Sequence, residues 1–208
     1  MGAVAFFDLT ALIRRYGLRY FIETGTGHGD SLAHAARVTA PGFEALRSCE
    51  IEPWLWHAMC ERFSKEPRIR VFNQKSENFL TLACQMLPVD HPVLFWLDAH
   101  FPGADYGIHA YGDEPDPNVR LPLVRELDII ARERPAAKDV ILVDDLRIWL
   151  DDDFEHGPLP PDVKPFCPAE RSIDFVHDIF QATHNIRTFR NHEGYLMIVP
   201  RMQSHVYG

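Results

Sequence analysis

The sequence lacks the features that would mark a zinc domain or a membrane protein. It has only four cysteines, with no C-x-x-C pair and no Cys/His spacing typical of zinc ligands. No stretch approaches the roughly 18 apolar residues of a membrane span, and the N-terminus has no basic region followed by a long apolar run. We therefore expect a cytoplasmic protein whose cysteines are reduced and mostly buried.

Positive charge is also scarce. The chain has 21 lysines and arginines against 30 aspartates and glutamates, which gives a formal net charge of -9. Because phosphate backbones and membrane surfaces attract basic proteins, this balance argues against nucleic acid and membranes as partners. A small-molecule or glycan acceptor fits it better. The 208 residues, of which 46% are hydrophobic, are enough for one domain with a substantial core.

The sequence does contain a regular alternation of short apolar runs and amphipathic segments. An N-terminal helix ends at Gly17, and a C-terminal pair of short runs, 185–190 and 195–199, predicts a hairpin. The other predicted strands are 19–22, 44–49, 69–73, 93–97 and 140–143, and the other predicted helices are 31–38, 54–63, 76–86, 121–134 and 173–182. The alternation predicts an α/β fold over residues 1–208: a Rossmann-like, doubly wound, mostly parallel seven-stranded sheet with a C-terminal antiparallel hairpin.

Two stretches interrupt this alternation. Residues 101–118 and 149–170 are rich in proline and acidic residues and show no apolar periodicity. Long loops in compact domains are usually functional. We predict that both are lid loops over a site at the carboxyl ends of the strands, where open parallel sheets bind their ligands.

The first predicted strand runs into the segment Glu23-Thr24-Gly25-Thr26-Gly27-His28-Gly29, and a helix follows. Glycines at such a point let the chain turn tightly and let a ligand approach the backbone. The spacing is G-x-G-x-G rather than G-x-G-x-x-G, and an acid precedes the first glycine, which argues against NAD. The loop predicts a nucleotide-like cofactor, with an NAD-dependent oxidoreductase as the least favoured alternative.

Polar residues at the ends of the next two strands fit the same cofactor. Glu50 ends the second strand, where a carboxylate can accept hydrogen bonds from both hydroxyls of a ribose. The alternative for Glu50 is a solvated acid at a helix start, a role that Glu52 fits better. Ser76 follows the third strand, where a short polar side chain could bind an adenine amino group, although it also fits as a helix cap.

These motifs resemble those of class I S-adenosylmethionine-dependent methyltransferases over nearly the whole chain. In that family the glycine loop supports the amino-acid part of the cofactor, and the acid after the second strand holds its ribose. The resemblance assigns these roles to Glu23, Gly25, Gly27 and Glu50. The full predicted cofactor site is Glu23, Thr24, Gly25, Gly27, Gly29, Ser31, Glu50, Ile51, Ser76 and Asp98.

Acids also end the fourth and fifth strands. Three carboxylates from adjacent strand ends, those of Asp98, Asp144 and Asp145, could converge on a hard cation such as Mg²⁺. This arrangement resembles the metal-dependent sugar O-methyltransferases of macrolide biosynthesis, whose acids hold the metal that orients a sugar diol. His100 is the predicted base, because an imidazole accepts a proton near neutral pH. The resemblance also implies a homo-oligomer. A purely structural role for the acids is the alternative.

The sequence therefore predicts an S-adenosylmethionine-dependent O-methyltransferase acting on a sugar or other diol-bearing small molecule, with Mg²⁺ as a second cofactor. Two alternatives stay open. A metal-independent N-methyltransferase would use the acids to bind a substrate amine. A nucleotide-binding module would keep the fold without catalysis, although an intact glycine loop together with Asp98 and His100 counts against it.

Overall fold

The computed structural model describes residues 3–135 and 138–201 of the chain. Its strands are β1 (Tyr20–Thr24), β2 (Ala45–Glu50), β3 (Ile69–Asn73), β4 (Val93–Leu97), β5 (Val140–Val143), β6 (His184–Phe189) and β7 (Tyr195–Pro200). Its α-helices are α1 (Leu9–Tyr16), α2 (Asp30–Arg37), α3 (Pro53–Arg62), α4 (Ser76–Met86), α5 (Pro117–Arg120), α6 (Leu123–Glu133) and α7 (Asp174–Phe180). None of the helices within these ranges is long and apolar enough to span a bilayer.

The strands form one sheet in the order β3-β2-β1-β4-β5-β7-β6. The first five strands are parallel, and β7 runs antiparallel to both β5 and β6. The predicted seven-stranded, mostly parallel sheet with a C-terminal hairpin is confirmed. Strand order reverses between β1 and β4, which opens a crevice beyond their carboxyl ends.

Two apolar clusters cover the two faces of the sheet. Successive side chains of a strand point to opposite faces, so Phe95 and Leu97 of β4 join one cluster while Leu94 and Trp96 join the other. All five residues of β4 are buried. Burial on both faces explains why the sequence of β4 is an unbroken apolar run rather than an alternating one.

The structure departs from the sequence prediction mainly at the N-terminus and in the lid loops. The predicted first helix is split into a 3₁₀ turn, Val4–Phe6, and α1, because the Asp8 carboxylate accepts a hydrogen bond from the Ala11 N–H and starts the helix there. The lid loops contain short 3₁₀ helices, Ala104–Tyr106 and Lys164–Phe166.

The two lid loops touch each other. A side chain at Gly112, in the first lid loop, would collide with the Phe166 ring of the second, and the guanidinium of Arg120, at the end of α5, lies 5.8 Å from the centre of the same ring. These contacts fix the first lid loop against the second on one side of the crevice.

Candidate active site

A cleft of about 880 Å³, its open mouth included, lies beyond the carboxyl ends of β1, β2, β4 and β5. Its walls are the glycine loop, the end of β2, the start of α4, the first lid loop and the two acids after β5. Every predicted polar cluster therefore contributes to a single cleft. Six predicted cofactor residues line it: Gly25, Gly27, Glu50, Ile51, Ser76 and Asp98.

The glycine loop is held in place by backbone contacts. The N–H groups of Gly25 and Thr26 both donate to the carbonyl of Cys49 at 3.0 Å, which ties the loop to the end of β2. Gly25 has a φ of +76°, and a Cβ there would lie 2.4 Å from the carbonyl oxygen of Asp98. The glycine is thus required by the close approach of the loop to the end of β4, in addition to any ligand.

Glu50 lies at the mouth of the cleft with its carboxylate anchored by the backbone. One oxygen accepts from the Gly27 N–H at 2.8 Å and the other from the Glu52 N–H at 2.9 Å. Burial raises the pKa of Glu50, and these hydrogen bonds act against the rise. Because each carboxylate oxygen has two lone pairs, both oxygens keep acceptor capacity for a ribose.

Glu23 faces the interior instead of the cleft. Its side chain is buried and accepts a hydrogen bond from the Ser48 hydroxyl at 2.5 Å, and burial raises its pKa to about 8. Gly29 packs against Met59 and Phe63 of α3. These two residues, with Thr24 and Ser31, lie outside the cleft lining, so six of the ten residues predicted to bind the cofactor share this cleft.

His100 lies among the acids at the other end of the cleft. Its Nε2 is 2.7 Å from Oδ2 of Asp145, and its Nδ1 is 3.5 Å from Oδ1 of Asp98. Its side chain is only 13% exposed. Asp145 has a φ of +51°, and its N–H donates to the Asp144 carboxylate at 2.8 Å. The guanidinium of Arg147 lies 3.5 Å from the other oxygen of Asp145. His100 and Asp145 therefore form a supported, buried pair.

The charges in this cluster shift one another's pKa values. Burial lowers the pKa of His100, but the carboxylate of Asp145, helped by Asp98, outweighs it and raises that pKa to about 10. Burial and the neighbouring Asp145 raise the pKa of Asp144 to about 7. Burial, with the charge of Asp144, also holds the pKa of Asp98 well above its usual range. At neutral pH, without a ligand, both ring nitrogens of His100 are therefore protonated, and the imidazole is positively charged.

The predicted magnesium site is not assembled. Within residues 3–135 and 138–201, no three or more His, Cys, Asp or Glu side chains are grouped so that they could hold a metal ion. The physical reason is the His100 imidazole, which lies between Asp98 and Asp145, while one oxygen of Asp144 is used by the Asp145 backbone. The donor atoms suit Mg²⁺ in kind, but their arrangement does not.

Tyr106 and Asp105 are among the cleft residues that the sequence analysis did not predict. Tyr106 and Asp105 belong to the 3₁₀ turn of the first lid loop, and both line the cleft. Asp105 accepts a hydrogen bond from the Tyr111 hydroxyl at 3.0 Å, and its carboxylate lies 3.9 Å from Nε2 of His100. The only sequence signal was a tyrosine and an acid inside a glycine-rich loop, which does not show where the loop folds back.

Solved structures with the same fold are methyltransferases. The Podospora anserina methyltransferase PaMTH1, solved with S-adenosylhomocysteine (SAH), has a TM-score of 0.61 at 14% identity, over 92% of this chain and 76% of that one. A Staphylococcus aureus protein described as a caffeoyl-CoA O-methyltransferase has a TM-score of 0.60 at 11% identity, over 93% of this chain and 81% of that one. An O-methyltransferase from Bacillus cereus, in complex with SAH, has a TM-score of 0.57 at 13% identity, over 93% of this chain and 79% of that one.

No protein-family model and no curated protein matches the sequence. At these identities the structural likeness defines the fold, which is that of class I S-adenosylmethionine-dependent methyltransferases. Both the strand order and the position of the cleft agree with it.

Proposed function

We propose that this protein is an S-adenosylmethionine-dependent methyltransferase that methylates a hydroxyl group of a small molecule, such as a sugar or another diol. The observation that carries the proposal is a single cleft with an anchored acid at one end and a His–Asp pair at the other. Glu50 is held by the glycine loop, and His100 is held by Asp145. This is the layout that methyl transfer from a bound cofactor to a bound acceptor needs.

The cofactor end binds through groups that are already in place. Glu50 would accept hydrogen bonds from the ribose hydroxyls, and Ser76 would contact the adenine. Gly25 and Gly27 would let the amino-acid part of the cofactor approach the backbone. S-adenosylmethionine, when bound, supplies a methyl group on a positively charged sulfur. A positive charge in the cleft would favour ionisation of Asp98 and Asp144, whose pKa values are raised by burial and by neighbouring carboxylates.

The acceptor end handles a proton. Nε2 of His100 is engaged by Asp145, whereas the 3.5 Å from Nδ1 to Asp98 leaves Nδ1 without a strong hydrogen bond. Positive charge brought into the cleft by the cofactor would lower the pKa of His100, and the Nδ1 proton would leave to solvent. The neutral imidazole would then accept the proton of the acceptor hydroxyl at Nδ1 while the oxygen bonds to the methyl carbon and the C–S bond breaks to leave a neutral thioether. Much of the rate would come from holding the acceptor oxygen in line with the methyl group.

A metal-dependent variant of this reaction is the second candidate. Burial leaves Asp98 and Asp144 with raised pKa values, and a cation would relieve the crowding of their charges. Binding of a metal ion here would require the His100 side chain to move out from between Asp98 and Asp145. N-methylation of an amine bound by the same acids is the third candidate.

Methyl transfer from radiolabelled S-adenosylmethionine to a panel of sugars, catechols and amines tests the proposal. We expect label in hydroxyl-bearing acceptors, and transfer that survives EDTA. Loss of transfer in EDTA, restored by Mg²⁺, would favour the metal-dependent variant. Labelled amines would favour N-methylation. Absence of any labelled product, together with no binding of the cofactor, would refute the proposal.

A further inference from the structure

Tyr106 lies directly on the glycine loop. A Cβ built on Gly27 would fall 1.8 Å from the Tyr106 hydroxyl oxygen, so no atom fits between the phenol and the backbone of Gly27. The ring also meets the edge of the His28 imidazole, with centroids 4.7 Å apart. Tyr106 therefore covers the surface that a nucleotide-like ligand has to reach.

The charges around the phenol agree with this position. Burial, followed by the carboxylates of Asp98 and Glu50, raises the pKa of Tyr106. Both acids line the same cleft as Tyr106, and the phenol stays protonated beside them. A bound cofactor would occupy the same space.

The segment that carries Tyr106 is a compact loop held at its base. We call residues 103–109 the strap. Its last residue, His109, has its Nε2 3.2 Å from the Glu52 carboxylate at the start of α3. Its first residue lies at the same place, because a Cβ on Gly103 would fall 2.8 Å from the His109 ring and 3.4 Å from a carboxylate oxygen of Glu52. The strap therefore contacts Glu52 with both of its ends and places Tyr106 on the glycine loop.

The strap has glycines on both sides of its helical turn. Gly103 and Gly107 flank Ala104–Tyr106 with φ values of +71° and +68°, in the left-handed region that favours glycine. The Ile108 N–H donates to the Gly103 carbonyl at 3.0 Å, which closes the loop around this turn. Tyr106 therefore moves together with the whole strap, and the contact between His109 and Glu52 holds the strap in place.

From these contacts we infer that the strap is a gate on the cofactor site: Tyr106 blocks the glycine loop, and S-adenosylmethionine or SAH enters only when the strap lifts. The inference rests on the proposed function, because it takes the ligand of the glycine loop to be that cofactor. A gate that occludes the site reduces the fraction of molecules competent to bind, and so slows association.

Surface plasmon resonance with the immobilised full chain and SAH as the probe tests this inference. We expect Tyr106→Ala to raise the association rate constant on the order of 10-fold, the gain expected when a closed form holding about nine-tenths of the molecules is lost. His109→Ala, which removes the contact between the strap and Glu52 while leaving the phenol intact, should also raise the association rate constant. Tyr16→Ala, on α1, is the matched control and should behave as the wild type.

The outcomes separate the gate from the proposed function. Faster association in Tyr106→Ala and His109→Ala, with Tyr16→Ala unchanged, supports the gate. Unchanged association with faster dissociation would make Tyr106 a simple contact residue and overturn the gate alone. If SAH binds neither the wild type nor any variant, the proposed function fails, and the gate fails with it.

Discussion

The two ends of the cleft are built in different ways. At the cofactor end, backbone groups do the positioning. The glycine loop donates two hydrogen bonds to the carbonyl of Cys49, and the Glu50 carboxylate accepts hydrogen bonds from two backbone N–H groups. At the acceptor end, charged side chains position one another, with His100 held by Asp145 and Asp145 approached by Arg147.

This difference affects how each end responds to change. The backbone hydrogen bonds that hold the glycine loop stay in place when a neighbouring side chain is substituted, so this end should be sensitive chiefly to changes that move the loop or that remove the Glu50 carboxylate. A cluster of buried charges depends on each partner, because removing one leaves the others uncompensated. We therefore expect the two ends to be separable by mutation, and the predictions below test that separation from the largest expected effect to the smallest.

The largest effect is expected at the acceptor end. His100→Ala should lower turnover about 1,000-fold, in the middle of the range for loss of a general base, while affinity for SAH stays within about 3-fold because His100 makes no contact with the glycine loop or Glu50. Methyl-transfer kinetics and titration calorimetry measure the two quantities. His57→Ala, an exposed histidine of α3, is the control. A parallel loss of SAH affinity would show that the two ends are not separable.

A smaller effect is expected from moving the glycine loop. Gly25→Ala places a methyl group 2.4 Å from the Asp98 carbonyl at a φ of +76°, and should cost about 3 kcal/mol in the free energy of unfolding. Gly17→Ala is matched to it, since Gly17 has a φ of +67° with no atom within 4 Å of the added carbon, and should cost only about 1 kcal/mol. Urea denaturation measures both. Equal losses would mean that the loop is not packed against β4.

The smallest effect concerns Glu23, which the structure buries beneath the cofactor end. Burial raises its pKa from 4.5 to about 8, so the unfolded chain ionises first as pH rises, and the folded state loses stability between those values. Glu23→Gln should remove about 2 kcal/mol of the loss between pH 5.5 and pH 7, measured by urea denaturation at both values. Glu61→Gln, on the exposed face of α3, should leave the slope unchanged. A loss of stability in Glu23→Gln equal to that of the wild type over this range would mean that Glu23 is ionised in the folded protein.

The residues at the glycine-loop end of the cleft could be predicted from the sequence because the motifs that mark them are local. The run from Glu23 to Gly29 and the acid at Glu50 are each short motifs at a strand end, and strand ends meet at one edge of a parallel sheet. What the motif could not show is which groups need the glycines. Gly25 is required by the Asp98 backbone and Gly29 by α3, contacts between segments that are distant in sequence.

The arrangement of side chains at the acceptor end could be predicted only in part. Asp98, His100 and Asp145 were predicted to meet, and they do, but as a His–Asp pair instead of a metal site. The choice depends on how the imidazole of His100 is placed between the carboxylates, which no sequence pattern encodes. Tyr106 was missed for a related reason, because its position depends on how the first lid loop folds back over the cleft.

Titration calorimetry of the wild type and Glu50→Ala with S-adenosylmethionine tests the central claim most directly. The account predicts binding to one site in the wild type and an affinity on the order of 100-fold lower in Glu50→Ala, because the ribose hydroxyls lose a charged partner and the Gly27 N–H is left without its acceptor. Glu61→Ala should bind as the wild type does. Absence of binding by the wild type, or equal affinity in Glu50→Ala, would contradict the claim that this cleft holds the cofactor.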